Sequence, residues 1–565
     1  MPHAVSMPST GLQALILCGP GSSLPTFTSN PDENPKALLP IANRPMVWYP
    51  IDFCHRMGIT DITLICPPSA YEAINTGMNT NPSLTALPLP RPDILAPKDL
   101  DYNTGTAHLL RLPEVTKLIR GDFVVLPCDL VCELGGHQLL QAWMVKGASL
   151  TQMLQASAFT NGKQSSYSGG LGVWYDTKSS VPLKGEETDF VATAPLQQSP
   201  GLEPRDSLLP NLSKLVLSMP TDSLNDTMED KGSMSIRHGL IRAHPRVRMR
   251  TQHRDAHIYI FPRWILDFIR NNDRLETLGE DVIGWWAKAG WQKGLVEKMG
   301  VEAACAQKHE SEEAGLSPTE YLSPRESSPE SRPDSKSSSG SDKEVTMGKL
   351  VADMKHDESK TFEVPPIIAY THASTGPGSL IRRADTAPLL LTLSLQLAKL
   401  PSLEEVVPEE ASPFAHPRKI AYPEGVKSRT TITKADCLIA ENVTVEEKTS
   451  IKECVIGANS QIGEGAKLAQ CLLMDGVVVG KGCKLTRCIL GKRCIIGDGS
   501  TLTDCEIQEN LLVEPQTEDK DNKLMSSEGL EATEAEMDEV LQEIAEETAL
   551  QEEAQTALQE KALDA

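Results

Sequence analysis

The residues closest to recognisable chemistry form a glycine loop, Gly19-Pro20-Gly21, directly after the apolar run Leu12–Cys18. A strand that ends in such a loop can bring backbone N–H groups close to a phosphate. Alone, the loop is a weak signal for a nucleotide site. Three later segments hold a lysine, a Gly-Thr pair and an aspartate, namely Pro35–Ile41, Asn103–Ala107 and Val124–Leu130.

These segments lie among alternating strand-like and helix-like runs between about residues 12 and 300. Apolar runs at Leu12–Cys18, Asp61–Cys66 and Asp122–Leu126 predict buried strands, and Met46–Met57 and Thr106–Leu118 predict helices. Strand–helix–strand spacing of this kind is typical of a largely parallel sheet that helices cover on both faces. We therefore expect an α/β domain, with its last helix at about Pro388–Leu400.

The strongest regularity lies between Cys437 and Pro515, where apolar residues recur every seventeen positions in three columns. A three-sided coil needs one inward aliphatic residue on each short side, and stacked coils lie about 4.8 Å apart. The repeat therefore predicts a parallel β-helix of hexapeptide type. Cysteines recur in the same phase, at Cys437, Cys454, Cys471, Cys488 and Cys505.

The cysteine column favours small buried side chains over a metal site or disulfides. Zinc sites use close cysteine pairs that bring four ligands to one point, whereas a seventeen-residue ladder places thiols in a line. Cysteine is also among the most frequently buried residue types. We expect free thiols in the interior of the β-helix, and no metal.

Charge and composition exclude several classes of protein. The 565-residue chain has a formal net charge of −23, and residues 515–565 alone hold 16 Asp and Glu against 3 Lys. The remainder is mildly acidic, so no general field attracts nucleic acid. No apolar run reaches the length of about 18 residues that would indicate a membrane span, and no signal peptide is visible. We expect a soluble, cytosolic protein without nucleic-acid or membrane partners.

Together and in this order, the four segments resemble the sugar-phosphate nucleotidyltransferases, which join a nucleotidyltransferase domain to a left-handed hexapeptide β-helix. The resemblance implies that Gly19 and Gly21 wrap the nucleoside triphosphate and that Lys36 lies in the active site. It implies that Gly105 and Thr106 contact the base or ribose. We expect an α/β nucleotidyltransferase-like (Rossmann-like) domain followed by a left-handed parallel β-helix.

The same resemblance implies that Asp129 holds Mg²⁺, and here the sequence departs from the family. Ser23 stands where the family has a loop arginine, and no W-x-D-x-G motif supplies the second metal-binding aspartate. Asp385 is its single candidate relic. Nucleotidyl transfer needs cations around the triphosphate as pyrophosphate leaves. We therefore interpret the seven residues as a vestigial pocket without cofactor or metal, in which Lys36 could also be a surface charge and Asp129 a strand-end cap.

A closer resemblance is to the gamma-subunit family of eukaryotic translation initiation factor 2B, the guanine-nucleotide exchange factor for initiation factor 2. It is carried by Asn43–Pro50, Cys128–Leu130 and Asp255–Tyr259 and by Cys454–Gly457 and Cys471–Met474 of the repeat. The resemblance implies a non-catalytic subunit that pairs with the epsilon subunit, joins the other subunits and helps bind initiation factor 2. Two alternatives stay open: an active mannose-1-phosphate guanylyltransferase, and a scaffold with a nucleotide-sensing pocket.

The chain divides into five segments. The nucleotidyltransferase-like domain covers residues 1–301 and ends within 350–412, a Ser/Glu/Pro-rich linker covers 302–349, the β-helix covers 413–515 and an acidic tail covers 516–565. The linker is expected to be disordered. The tail carries apolar residues at near-helical spacing, so it is either a solvated helix or a docking helix. Met474, Val477 and Val478 are expected among the outward residues of the β-helix, as part of a partner surface.

Overall fold

The structure is a computed structural model that describes residues 10–19, 24–101, 104–146, 168–178, 186–196, 207–306, 362–372, 380–407 and 411–525. Gly21, Ser23, nearly all of the predicted linker and the tail beyond Met525 lie outside these residues. Within them the chain forms an α/β domain followed by a three-sided parallel β-helix. None of the described helices is long and apolar enough to cross a membrane.

The α/β domain contains thirteen strands among the described residues. They are β1 (Gln13–Leu17), β2 (Pro40–Ile41), β3 (Arg44–Pro45), β4 (Asp61–Ile65), β5 (Asp93–Leu95), β6 (Phe123–Pro127), β7 (Leu130–Cys132), β8 (Gly170–Asp176), β9 (Asp189–Pro195), β10 (Leu212–Pro220), β11 (Arg248–Phe261), β12 (Ile367–His372) and β13 (Ile381–Arg383).

Thirteen α-helices accompany these strands in the described part of the chain. They are α1 (Trp48–Met57), α2 (Tyr71–Thr80), α3 (Pro82–Thr85), α4 (Thr106–Arg111), α5 (Pro113–Leu118), α6 (Gly136–Lys146), α7 (Thr221–Lys231), α8 (His238–Ala243), α9 (Ile265–Arg270), α10 (Ile283–Ala289), α11 (Lys293–Lys298), α12 (Val301–Ala306) and α13 (Ala387–Ala398). The single helix expected over Thr106–Leu118 is two helices, because Pro113 lacks the N–H that would continue the first.

Nine strands form one twisted sheet in the order β5-β4-β1-β6-β11-β8-β12-β10-β9. The half from β5 to β6 is parallel, as the sequence predicts. The other half is mixed, because β11 runs antiparallel to β6 and β8, and β10 runs antiparallel to β9 and β12. The expectation of a largely parallel sheet is wrong for this half, since among the described residues no α-helix separates β8 from β9 or β9 from β10.

Helices cover both faces of the sheet, as expected. Side chains of β1 and β6 alternate between two cores: Ile16 and Leu126 face the core with α1 and α13, while Leu15 and Val125 face the core with α4, α9 and α10. This alternation is the period-two geometry of a strand whose two faces are both buried.

The β-helix contains seventeen short strands on three faces. The docked face has β15 (Leu438–Ile439), β18 (Val455–Ile456), β21 (Leu472–Leu473), β24 (Ile489–Leu490), β27 (Glu506–Ile507) and β30 (Lys523–Leu524). The second face has β16 (Thr444–Val445), β19 (Gln461–Ile462), β22 (Val478–Val479), β25 (Ile495–Ile496) and β28 (Leu512–Val513). The third face has β14 (Thr431–Ile432), β17 (Ser450–Lys452), β20 (Lys467–Ala469), β23 (Lys484–Thr486), β26 (Thr501–Thr503) and β29 (Glu518–Lys520).

The seventeen-residue register is confirmed in the pairings of β15 and all later strands, whereas β14, which precedes the repeat, pairs with β17 at a spacing of nineteen residues. Leu468, for example, pairs with Leu485 and Leu485 with Leu502, all with their side chains in the interior. The five in-phase cysteines are buried in the same interior, and all thirteen cysteines of the chain are free. Corners between the second and third faces take positive φ angles, as at Gly482 with φ 69.

The coil continues beyond the end that the sequence predicts. Strands β29 and β30 pair with β26 and β27, so the stacked fold reaches Leu524 instead of Pro515. The sequence conceals this last coil because Asp519 takes the place of the aliphatic residue that pairs with it, Leu502.

The docked face packs directly on the α/β domain. Its outward residues, such as Val455 and Leu472, belong to the same core as α13. Met474 lies in this interface and Val477 lies in the interior of the β-helix, with 1% and 0% of their surfaces exposed. The expectation that both face outward is therefore wrong, since one contacts the other domain and the other is a corner residue turned inward. Val478 is half-buried.

Candidate functional site

The described pocket residues lie at the carboxyl ends of the parallel strands. Gly19 lies two residues after β1, and Asp129 lies two residues after β6. Strand β13 pairs with β7, and the N–H of Ala384 donates to the carbonyl oxygen of Asp129 over 2.9 Å. This pairing brings the segment that contains Arg383 and Asp385 beside Asp129.

Asp129 is held by two cations of its own chain. Its carboxylate accepts a bond of 2.7 Å from the Lys36 ammonium and two bonds, of 3.1 and 3.2 Å, from the Arg383 guanidinium. Only 1% of Asp129 and 8% of Lys36 are exposed, so Lys36 is not a surface charge. Burial raises the pKa of Asp129, but Arg383 and Lys36 outweigh it and hold that pKa well below its usual range.

Asp385 has the same kind of neighbours. Its Oδ2 lies 2.7 Å from a guanidinium nitrogen of Arg254 and 3.5 Å from one of Arg383. Arg383 therefore joins the two aspartates that the resemblance assigns to metal binding. Two buried carboxylates meet three cations, so no negative charge remains to attract a divalent ion.

These residues do not fit a metal site. Among the described residues, no group of three or more His, Cys, Asp and Glu side chains is placed to hold a metal ion. Mg²⁺ prefers carboxylates free to coordinate at about 2.0–2.1 Å, and those of Asp129 are occupied by a bidentate arginine and a lysine. We derive no metal-dependent step at this site.

A second acidic pair adjoins this cluster, and the sequence analysis missed it. The Asp255 carboxylate accepts from the Tyr259 hydroxyl at 2.5 Å, and Asp189 accepts from the Asp255 N–H at 2.6 Å. Burial and then Asp189 raise the pKa of Asp255 to about 7, and burial raises that of Asp189 to about 6. In the sequence, only the run Asp255–Tyr259 drew attention to this region, as one of the segments that carry the resemblance.

Gly105 and Thr106 have structural contacts with another segment. The Thr106 hydroxyl accepts from the N–H of Leu278 at 2.9 Å. A Cβ at Gly105 would lie 2.3 Å from the carbonyl oxygen of Glu276, so this close approach of two backbones requires glycine. These contacts give both residues a role in packing.

The segment after the glycine loop is attached to the β-helix. The Thr26 hydroxyl donates to Glu506 at 3.0 Å, and the Ser29 hydroxyl donates to Glu509 at 3.0 Å. The resemblance assigns the triphosphate to the pattern that begins at Gly19 and ends at Thr28, whereas here Thr26 and the following Ser29 contact another domain of their own chain.

Comparison with known proteins shows similarity to one family model and to a curated relative, among others. Residues 421–518 match the family model described as the EIF2B subunit epsilon LbH domain, a left-handed β-helix. The translation initiation factor eIF2B subunit gamma of Schizosaccharomyces pombe is 28% identical over 290 residues, which are 51% of this chain and 54% of that protein. The chain thus spans about half the length of this curated relative. Together with the fold, the matches support the resemblance: the chain is similar to subunits of translation initiation factor eIF2B, and it joins an α/β domain to a left-handed β-helix.

Proposed function

We propose that this chain is a non-catalytic subunit of the guanine-nucleotide exchange factor for translation initiation factor 2. In this role it pairs with the epsilon subunit, joins the other subunits of the same factor and supports the exchange of GDP for GTP. The proposal includes binding to initiation factor 2, location in the cytosol, and no direct contact with nucleic acid or membrane. The similarity to an eIF2B gamma subunit supports the assembly.

The bidentate contact of Arg383 with Asp129 carries the non-catalytic part of the proposal. A transferase would need this carboxylate for its metal ion, and separating a buried arginine from its carboxylate costs several kcal/mol. The hydrogen bonds from Thr26 and Ser29 to Glu506 and Glu509 also support a non-catalytic role. They hold the chain after the glycine loop against the β-helix, away from a bound triphosphate.

A GDP-release assay on initiation factor 2 tests the proposal. The samples are this chain alone, the epsilon subunit alone, and both after co-expression. We expect no acceleration by this chain alone, co-purification of the two subunits, and faster release by the pair than by epsilon alone. Failure to co-purify, together with a rate for the mixture equal to that of epsilon, would refute the subunit assignment.

A second assay tests the absence of transferase chemistry. Purified chain is mixed with GTP, mannose-1-phosphate and Mg²⁺, and pyrophosphate release is measured. We expect none above the background without protein. Turnover that Asp129→Ala abolishes would show an active guanylyltransferase, whereas turnover unchanged in that variant would indicate a contaminant.

One observation favours the scaffold with a sensing pocket as a second candidate. Four buried polar atoms near the cluster have no hydrogen-bond partner among the described residues: Tyr175 Oη, Glu186 Oε1, Arg254 Nη1 and Asp385 Oδ1. Two of them can donate and three can accept, so a neutral polyhydroxy group would match them better than an anion. A melting-temperature rise with GDP-mannose in the wild-type chain, absent in Arg254→Gln, would support this candidate. Equal melting temperatures with and without GDP-mannose would remove it.

A further inference from the structure

The second face of the β-helix carries an exposed apolar column. Val478, Ile495 and Leu512 stand in register on adjacent strands, with Val478 half-buried and the other two 44% and 67% exposed. Their strands lie about 4.8 Å apart, so the column is about 10 Å long. Apolar residues stacked in this way mark a surface that another element covers.

The other two faces differ from this one. The docked face is buried against the α/β domain. The third face presents lysines, with Lys467 paired in register with Lys484, and Lys481 lies at the corner between the second and third faces. Like charges in register repel each other, so an acidic neighbour would stabilise this side of the β-helix.

The end of the described chain points toward the same face. Within the described residues the second face has five strands and each of the other faces has six, so β28 is an open edge. Along the chain each earlier strand of the docked face is followed by a strand of the second face, and the described chain ends just after β30 of the docked face. A chain that leaves Met525 along the coil path therefore arrives beside Leu512.

The composition of the following segment complements this surface. Residues 526–565 contain 13 Asp and Glu against a single Lys, and Leu530, Met537, Leu541 and Ile544 fall on one side of a helix. A helix from residue 530 to 544 is about 21 Å long at about 1.5 Å per residue. This length is enough to cover the whole apolar column.

We propose that residues 526–565 fold back over the second face, with their apolar side on Val478, Ile495 and Leu512 and their carboxylates beside Lys481 and Lys484. The occupant is this chain's own tail because it begins at the open edge of that face and carries the opposite charge. Because the tail is tethered to the β-helix, its effective concentration at this face is high. It can therefore bind through a smaller contact area than a separate partner would need.

Hydrogen exchange on the full-length chain tests the proposal. We expect backbone amides of residues 530–550 to exchange about tenfold more slowly than in a free peptide of the same sequence. In the double variant Ile495→Glu/Leu512→Glu, exchange in the tail should rise to the rate of the free peptide. Gln461→Glu adds a carboxylate in the same outward column but outside the apolar part, and it should leave the tail protected.

A second set of variants changes the tail instead of the β-helix. Leu541→Glu/Ile544→Glu should release the tail, whereas Gln542→Glu, which adds a single negative charge beside them, should not. Free-peptide exchange rates in the wild-type chain would overturn the proposal, as would protection that neither double variant removes. Protection that falls on hundredfold dilution would show a second copy as the occupant, and protection that appears only with an added protein would show a different partner; either result overturns it.

Discussion

Replacement of Arg383 by glutamine tests whether the chain's own cations neutralise the former metal-binding carboxylates. The variant removes both bonds to Asp129, whose side chain is 1% exposed, and the longer contact with Asp385. Breaking one partner of a buried ion pair costs about 3–5 kcal/mol. Lys36 still bonds Asp129 and Arg254 still bonds Asp385, each at 2.7 Å, so we expect about 2–3 kcal/mol of destabilisation.

Tryptophan fluorescence in urea isolates the relevant unfolding step. All seven tryptophans lie between residues 48 and 291, in the α/β domain, so the signal does not report the β-helix. At about 2 kcal/mol per molar urea, the unfolding midpoint should fall by about 1 M. Arg382→Gln is the matched control, because this neighbouring guanidinium donates to the backbone carbonyl of Asp176 and has no buried carboxylate partner among the described residues.

A double-mutant cycle measures the interaction energy between Arg383 and Asp129. Asp129→Asn alone leaves two cations without their carboxylate, and the combination with Arg383→Gln should cost less than the sum of the two variants by about 2 kcal/mol. If Arg383→Gln unfolds at the same urea concentration as Arg382→Gln, and its effect simply adds to that of Asp129→Asn, the arginine does not neutralise this site. The Asp129 carboxylate would then be available to a metal ion.

Three further predictions concern the β-helix and the acidic pair. In thermal melts followed by circular dichroism, Cys471→Asp should destabilise the β-helix by about 3 kcal/mol or more, against about 1 kcal/mol for Cys471→Ala. Melting temperatures of both variants close to that of the wild type would contradict the burial of this cysteine column. Truncation after Pro515 should lower the melting temperature more than truncation after Met525, because only the first removes β29 and β30; equal values would place the end of the fold earlier. Because the folded state holds the Asp255 proton up to about pH 7, stability should fall as pH rises from about 4 to 7. In urea titrations at pH 5 and 8, Asp255→Asn should reduce the difference in the free energy of unfolding between the two pH values by about 2 kcal/mol. An unchanged difference would mean that another group binds the proton.

The repeat was the most predictable part of the fold. One inward side chain per face leaves a strict periodicity, so the register of Leu468, Leu485 and Leu502 could be read directly. The parallel half of the sheet was also predictable, because helices separate its strands in the sequence. The mixed half was not, since β9 and β10 lie in Lys184–Asp230, a polar stretch whose pairing partners, such as β12, are distant in the sequence.

The role of the candidate site stays a prediction, but three of its predicted residues are neighbours in the structure. Lys36, Asp129 and Asp385 do lie in one cluster. Arg254 and Arg383, which decide what that cluster can bind, were missed, because arginine is usually exposed and nothing in its spacing indicates burial beside a carboxylate. The outward direction of Met474 was wrong for a related reason: periodicity separates inward from outward positions but does not show which outward face meets another domain.

The position of β12 has a consequence for proteolysis. This strand follows the segment 307–361, yet it lies between β8 and β10, which both precede that segment. Helix α13, further along the chain, shares a core with β1 and α1 from the first part. A protease that cuts once within 307–361 would yield two fragments whose strands remain interleaved, so they would behave as one particle in native gel filtration and separate only in denaturant. Expressed apart, neither fragment would contain the complete nine-stranded sheet, so the α/β domain would need both fragments to fold.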